Sequence, residues 1–225
     1  MLLLEDDMLV DRESFKYIKF ERVFDEGEYE ELNKSFPELS ALIKERGYKD
    51  LKFSNGNRFD IDMKYIKKYD ILSDIWNKLI EEVTNIKFFK RLCDIFGVDP
   101  DKYNSISYRN EDNRYTDVKV DFQICYNMKN EKKGGYLREP HIDAKDKIFV
   151  VLLYFPYLEE VYKDEDEGQL CLYNRDIVEI DNVKYNGNRG IIFLNNDCAI
   201  HAPRILKNHK SEHRRFINVV FMENK

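Results

Sequence analysis

The chain has 225 residues, of which 43% are hydrophobic and 36% charged, and 37 basic against 43 acidic side chains give a net charge of −6. This composition excludes a disordered chain and argues against a nucleic-acid-binding protein, because phosphate contacts need a concentrated basic face. The length fits one domain with a sizeable core, and 15 Tyr and 15 Phe favour strands and large buried clusters. No run is long and apolar enough to span a membrane, and the N-terminal apolar run is too short for a signal peptide, so a cytoplasmic location is expected. Four cysteines, Cys93, Cys125, Cys171 and Cys198, contain no CxxC pair. They read as small buried hydrophobes rather than as a thiolate metal site.

The first half reads mainly as helices. Glu26 to Phe36 forms a short helix, and Pro37 can start a second one that runs to Gly47. Lys49 to Ile61 mixes polar and aromatic residues and reads as a loop or an irregular strand. Ser73 is placed to cap a helix whose apolar positions are Leu72, Ile75, Trp76, Leu79, Ile80 and Val83. Phe89, Leu92, Cys93 and Phe96 form a similar stripe, which Gly97 can terminate. From Val118 onward the period changes. Val118–Tyr126, Ile148–Phe155, Gln169–Tyr173, Gly190–Leu194 and Arg214–Met222 read as strands separated by Gly, Asn and acidic turns. Many short strands with such turns predict a sandwich or jelly roll, with the early helices packed on one sheet. The acidic run from Lys163 to Glu167 reads as an exposed loop.

All four histidines fall in the strand-rich half. In Gly134-Gly-Tyr-Leu-Arg-Glu-Pro-His-Ile-Asp143, extended backbone puts His141 and Asp143 on one face, since side chains alternate with period two. In Gly190-Ile-Ile-Phe-Leu-Asn-Asn-Asp-Cys-Ala-Ile-His201, an apolar strand ends in a polar turn followed by His201. Two imidazoles and one carboxylate on one face form the iron(II) oxygenase ligand set, which leaves metal positions open for other ligands. In Arg214-Arg-Phe-Ile-Asn-Val-Val-Phe221, a guanidinium at a strand start can grip a carboxylate bidentately. His209 and His213 read as surface residues, with His213 the next metal candidate after His201.

These segments, in this order, resemble the 2-oxoglutarate and iron(II) oxygenases, particularly the branch of prolyl 4-hydroxylases and their bacterial relatives. The resemblance covers roughly residues 118 to 222 and rests on GGYLREPHID, EGQLCLY, GIIFLNND followed by IHAP, and RRFINVVF. It implies an α+β double-stranded β-helix, a cupin-like jelly roll with N-terminal helices packed on one sheet. The whole of 1–225 would be one oxygenase domain, with 1–115 as mainly helical support and 116–225 as the catalytic core. It implies Fe(II) held by His141, Asp143 and His201, with 2-oxoglutarate and O2 as co-substrates and ascorbate as a stimulant. Arg214 would clamp the far carboxylate of 2-oxoglutarate, with Arg215 as the alternative, and Tyr126 would donate its hydroxyl to the same molecule. Tyr136 and Arg138 would line the substrate mouth.

The implied reaction is hydroxylation of an unactivated C–H bond of an amino-acid, peptidyl or small-metabolite substrate, with release of succinate and CO2. The carboxylate of Asp143 favours hydroxylation over halogenation. The acidic balance leans towards a basic or neutral substrate. Two departures stand out: Phe216 occupies the usual Ser position of the closing strand, and the spacing from His201 to Arg214 is longer than the branch's pattern. A non-catalytic metal-binding cupin, a zinc hydrolase and a structural or interaction protein with incidental histidines are the rival readings. No HExxH-type arrangement supports the hydrolase.

Overall fold

The computed structural model describes residues 2–5, 8–40, 58–69, 72–128, 137–157, 168–204 and 213–224. Eleven strands and four α-helices are defined among them. In chain order they are β1 (Leu9–Arg12), β2 (Phe15–Phe20), α1 (Glu26–Lys34), β3 (Arg58–Asp62), α2 (Met63–Tyr69), α3 (Asp74–Val83) and α4 (Ile86–Phe96). They continue with β4 (Ile106–Tyr108), β5 (Val118–Met128), β6 (Lys147–Tyr154), β7 (Leu170–Tyr173), β8 (Glu179–Val183), β9 (Gly190–Leu194), β10 (Ile200–Pro203) and β11 (His213–Glu223). The larger sheet has the order β1-β2-β9-β6-β11-β5-β3, and β4 pairs with the start of β5. The smaller sheet has the order β10-β7-β8. An isolated antiparallel bridge, His141 to His201, adds a further rung beside β10. This is the double-stranded β-helix expected from the sequence.

Alternation along the central strands sorts side chains into two cores. On β11, Ile217, Val219 and Phe221 face the helices, while Phe216, Val220 and Met222 face the space between the sheets. On β5, Phe122, Ile124 and Tyr126 belong to the helical side. Helices α3 and α4 bury Ile75, Trp76, Leu79, Phe89, Leu92 and Phe96 against that side. Phe89 packs on Phe149 and Phe221 at ring-centroid distances of 5.7 and 5.3 Å. Gly97 ends α4 in the left-handed region (φ 70°), as its position predicts. Ser73 occupies the N-cap position of α3, but its side chain makes no cap hydrogen bond. Asn85 does cap α4, accepting from the Phe88 amide at 2.9 Å. All four cysteines are free and buried.

The N-terminal half is less helical than its sequence suggests. β1 and β2 form a hairpin that extends the larger sheet beyond β9. Phe15 and Tyr17 of β2 point between the sheets, whereas Ile18 and Phe20 point to the helical core. Because both faces are buried, the polar–apolar alternation that would reveal a strand is absent. Residues 58–61, read as a loop or irregular strand, form most of β3 and pair with β5. The expected helix from Pro37 to Gly47 and the acidic run from Lys163 to Glu167 lie wholly or mostly outside the described residues. No helix among the described residues is long and apolar enough to cross a membrane.

Gly190 is the tightest close approach in the sheet. A Cβ there would lie 2.6 Å from the Leu152 carbonyl oxygen and 3.0 Å from Leu153 Cδ2. Backbone cannot yield as a flexible side-chain tip can, so Gly190→Ala is expected to destabilise the protein by about 1–3 kcal/mol. Gly27 has nothing within 4 Å of an added Cβ. Gly27→Ala should therefore be neutral or stabilising by up to about 1 kcal/mol. Urea denaturation of both variants measures the contrast, and equal midpoints would contradict it.

Candidate metal and co-substrate site

His141, Asp143 and His201 offer ligand atoms that all lie within 4.8 Å of one another. The backbone brings them together. The His141 amide donates to the His201 carbonyl at 3.1 Å, and the His201 amide donates back at 3.0 Å. His201 also pairs with Leu172 of β7, so it is fixed from both sides. Ile142 is partly exposed while His141 and Asp143 line the cavity, as extended backbone predicts. The segment after Asp143 is tied down by Asn195, whose Nδ2 donates to the Ala144 and Lys147 carbonyls at 2.9 and 3.1 Å.

The side chains are held in metal-binding form. The Nδ1 of His141 donates to the Glu139 carbonyl at 2.8 Å, and that of His201 to the Ala199 carbonyl at 3.0 Å. In both rings Nε2 is left as the lone-pair donor. Burial, then the neighbouring His201, pushes the His141 imidazole down to about 4. Burial also lowers the His201 imidazole, against the pull of Asp143. Burial works to raise the Asp143 carboxyl, but His201, Lys147 and His141 outweigh it and hold it below its ordinary value. At neutral pH the set is therefore two neutral imidazoles and one carboxylate, the donor forms a divalent ion requires. His201 Nε2 lies 4.0 Å from Asp143 Oδ2, and Lys147 Nζ lies 3.2 Å from the same oxygen. Metal–ligand bonds of ~2.0–2.2 Å place adjacent donors about 3 Å apart, so binding needs an inward shift of roughly 1 Å.

These residues sit in a cavity of about 650 Å³ between the sheets, a volume typical of small-molecule sites. Arg214 lies in its wall, 2% exposed, and Arg215 is 4% exposed on the opposite face of β11. Arg215 is fully engaged: it donates to the Phe155 and Pro156 carbonyls at 2.9 and 3.2 Å and to Asn33 Oδ1 at 2.8 Å. It also lies 3.8 Å over the Tyr157 ring. Arg214 is not engaged in this way. Its Nε and Nη2 are buried without a hydrogen-bond partner, as is the hydroxyl of Tyr154. Its guanidinium carbon lies 4.6 Å from the Tyr154 ring centroid and 4.8 Å from that of Phe216. Such groups are costly to leave unpaired, and a carboxylate in the cavity would accept from both Arg214 nitrogens. The residues present thus fit both a divalent metal and an elongated dicarboxylate.

Other expected positions fall elsewhere. Tyr126 is not in the cavity: it sits on the helical face of β5, is fully buried, and donates its hydroxyl to the Pro37 carbonyl. The physical reason is alternation, because Asp121, Gln123 and Asn127 are the β5 residues that face the cavity. Tyr154 of β6, on the inter-sheet side, stacks beside Arg214 instead, and no motif marked it. His213 lies on the helical face, with Nε2 2.8 Å from the Tyr157 hydroxyl and its ring against Tyr126, away from the metal ligands. Arg138 lines the cavity. Tyr136 and His209 lie outside the described residues. Lys147 also escaped the sequence reading. A register shift opposite Met222 turns it to the cavity face alongside Val150.

Solved structures with the same architecture carry a consistent description. A prolyl-4-hydroxylase from Pseudomonas putida superposes with a TM-score of 0.56 at 11% identity, covering 93% of each chain. A putative oxygenase from Shewanella oneidensis gives 0.56 at 12% identity, covering 93% of this chain and 81% of that one. The dioxygenase for auxin oxidation 1 from Arabidopsis thaliana, in its 2-oxoglutarate binary complex, gives 0.54 at 15% identity, covering 90% and 82%. No protein-family model and no curated protein matches the chain by sequence. The chain therefore has the 2-oxoglutarate/Fe(II) dioxygenase fold, with His141, Asp143 and His201 arranged as a facial-triad-like set.

The depressed imidazoles make stability depend on pH. An unfolded His141 titrates near 6.5 and the folded one near 4, so between these values the unfolded chain binds more protons. Stability of chelator-treated protein should thus be complete above about pH 6.5 and fall as pH drops towards about 4, with His201 adding to the slope. His141→Asn should make the slope shallower in urea titrations across this range. An unchanged slope would show that His141 is not held neutral.

Proposed function

We propose that the protein is an Fe(II)- and 2-oxoglutarate-dependent dioxygenase that hydroxylates an unactivated C–H bond of a small-molecule or peptidyl substrate. The observation that carries this reading is the meeting, in one cavity, of the triad with Arg214, whose Nε and Nη2 are buried without a hydrogen-bond partner. A metal-binding protein without 2-oxoglutarate chemistry would have no use for a buried, unpaired guanidinium near the metal donors.

Each residue has a definable task. His141 Nε2, His201 Nε2 and an Asp143 oxygen would hold the metal, a donor set that leaves room for co-substrates. The bound metal supplies the chemistry that splits O2 between 2-oxoglutarate and the substrate, giving succinate, CO2 and the hydroxylated product. Arg214 and Tyr154 orient 2-oxoglutarate by its far carboxylate. Lys147 holds Asp143 Oδ2 and so favours a single orientation of that carboxylate. Val150, Leu152, Leu170 and Phe216 line the cavity with apolar surface and limit water near the reacting centre.

Two experiments test the assignment. Purified protein supplied with Fe(II), 2-oxoglutarate and air should form succinate, and His201→Ala and Asp143→Ala should abolish it. Metal binding without 2-oxoglutarate binding would instead favour the non-catalytic cupin reading. In the second experiment, Arg214→Gln should weaken 2-oxoglutarate binding roughly 10- to 100-fold, the equivalent of a lost charged hydrogen bond of about 1.5–3 kcal/mol. Arg215→Gln should leave that affinity near wild type and lower stability by about 1–3 kcal/mol, since it strands buried carbonyls. The reverse pattern would exchange the roles of the two arginines.

A further inference from the structure

Beyond the triad and Arg214, the cavity continues across the part of the larger sheet built from β3, β5 and β11. Its floor there is a polar chain. Asn218 Nδ2 and Arg58 Nη2 both donate to Gln123 Oε1, at 2.9 and 2.8 Å. Gln123 Nε2 donates to Asp121 Oδ2 at 2.9 Å, and Arg109 Nη1 donates to the same oxygen at 3.1 Å. Arg58 also pairs with Asp60. The Asp121 side chain is 6% exposed and that of Arg109 58% exposed, so a buried carboxylate holds an accessible guanidinium in place. The remaining donors of Arg109 have no partner among the described residues.

The charge of this cavity runs opposite to that of the chain. Among the described lining residues, the cations are Arg58, Arg109, Arg138, Lys147 and Arg214, against the carboxylates of Asp60, Asp121 and Asp143. The surplus is two positive charges. A divalent metal and a doubly charged 2-oxoglutarate cancel one another, so the surplus persists when the site is loaded. Low-dielectric walls focus such a field on the ligand. The protein's overall charge of −6 is therefore no guide to its substrate.

We propose that the substrate is a small anionic molecule whose carboxylate or phosphate is bound by Arg109, above the Asp121–Gln123–Asn218 floor. Its reacting carbon would then reach towards the metal ligands from that side. This rests on the oxygenase reading and adds the substrate class to it. A cationic substrate would meet the surplus positive charge. An apolar side chain would leave the hydrogen-bonding floor facing a surface that cannot bond to it.

The test measures succinate formed by the Fe(II)-loaded full chain, with 2-oxoglutarate binding measured separately by equilibrium dialysis. Separate pools are added of free amino and hydroxy acids, phosphate monoesters, the amides of the same acids, amines, and end-blocked peptides. An acid or phosphate pool should raise turnover tenfold or more while the amides do not, and which of the two does so identifies the anion. For the active compound, Arg109→Gln should raise KM tenfold or more with kcat changed less than about twofold, and Arg109→Lys should recover much of the loss. Stimulation by amides, amines or blocked peptides would overturn the proposal, as would an unchanged KM in Arg109→Gln. If 2-oxoglutarate binds but no anion stimulates turnover, the substrate class falls and the oxygenase reading stands. If 2-oxoglutarate does not bind, the oxygenase reading itself falls.

Discussion

The two backbone hydrogen bonds exchanged by His141 and His201 are the constraint on which the site depends. They join segments 60 residues apart in sequence into one rung of the smaller sheet, next to β7. Rings carried on directly opposed residues must lie close, and their centroids are 4.6 Å apart. Asp143 then follows on the same face by strand alternation. The clustering of the three donors on one face is thus a result of sheet register. Outer hydrogen bonds from each Nδ1 to a carbonyl complete the arrangement by choosing the ring face and tautomer.

Strand β11 shows the same rule separating two identical side chains. Adjacent residues of a strand point to opposite faces, so Arg214 and Arg215 cannot share a role. Arg215 meets the carbonyls of Phe155 and Pro156 and the Asn33 side chain, and it ties the helical side to the end of β6. Arg214 meets aromatic faces and an open cavity. Sequence alone could not choose between them because both faces of β11 are largely apolar. The decisive information lies in the pairing of Arg214 with Asn127, which belongs to the cavity face of β5.

Most of the architecture and the clustering of His141, Asp143 and His201 were legible in the sequence. HxD on extended backbone and a later histidine after an apolar strand carry a physical signature, namely donor chemistry combined with period-two alternation. The long strands and the stripes of α3 and α4 were legible for the same reason. What stayed hidden depends on tertiary register. Strand β2 of the hairpin is largely buried on both faces and so lacks a strand's polar alternation. Tyr126 stood near the expected point in sequence, yet it faces the wrong side of β5. Tyr154 is one aromatic in a uniformly buried strand, and Lys147 reaches the cavity through a register shift that no local pattern predicts. The charged floor joins residues from β3, β5 and β11 with Arg109, and only the folded sheet assembles them.

Arg214 also shows how the fold trades stability for a site. A guanidinium buried without hydrogen-bond partners is a liability of several kcal/mol. The rings of Tyr154, Tyr185 and Phe216, with centroids 4.6 to 5.1 Å from its guanidinium carbon, offset part of this, each by about 0.5–2 kcal/mol. The rings cannot supply directional acceptors, so Nε and Nη2 keep their full hydrogen-bonding capacity for a ligand. Phe216 contributes to this aromatic enclosure. A polar residue there could compete for the guanidinium. With Phe216 in place, Nε and Nη2 stay open to an acceptor in the cavity, and under the proposed function that acceptor is the far carboxylate of 2-oxoglutarate.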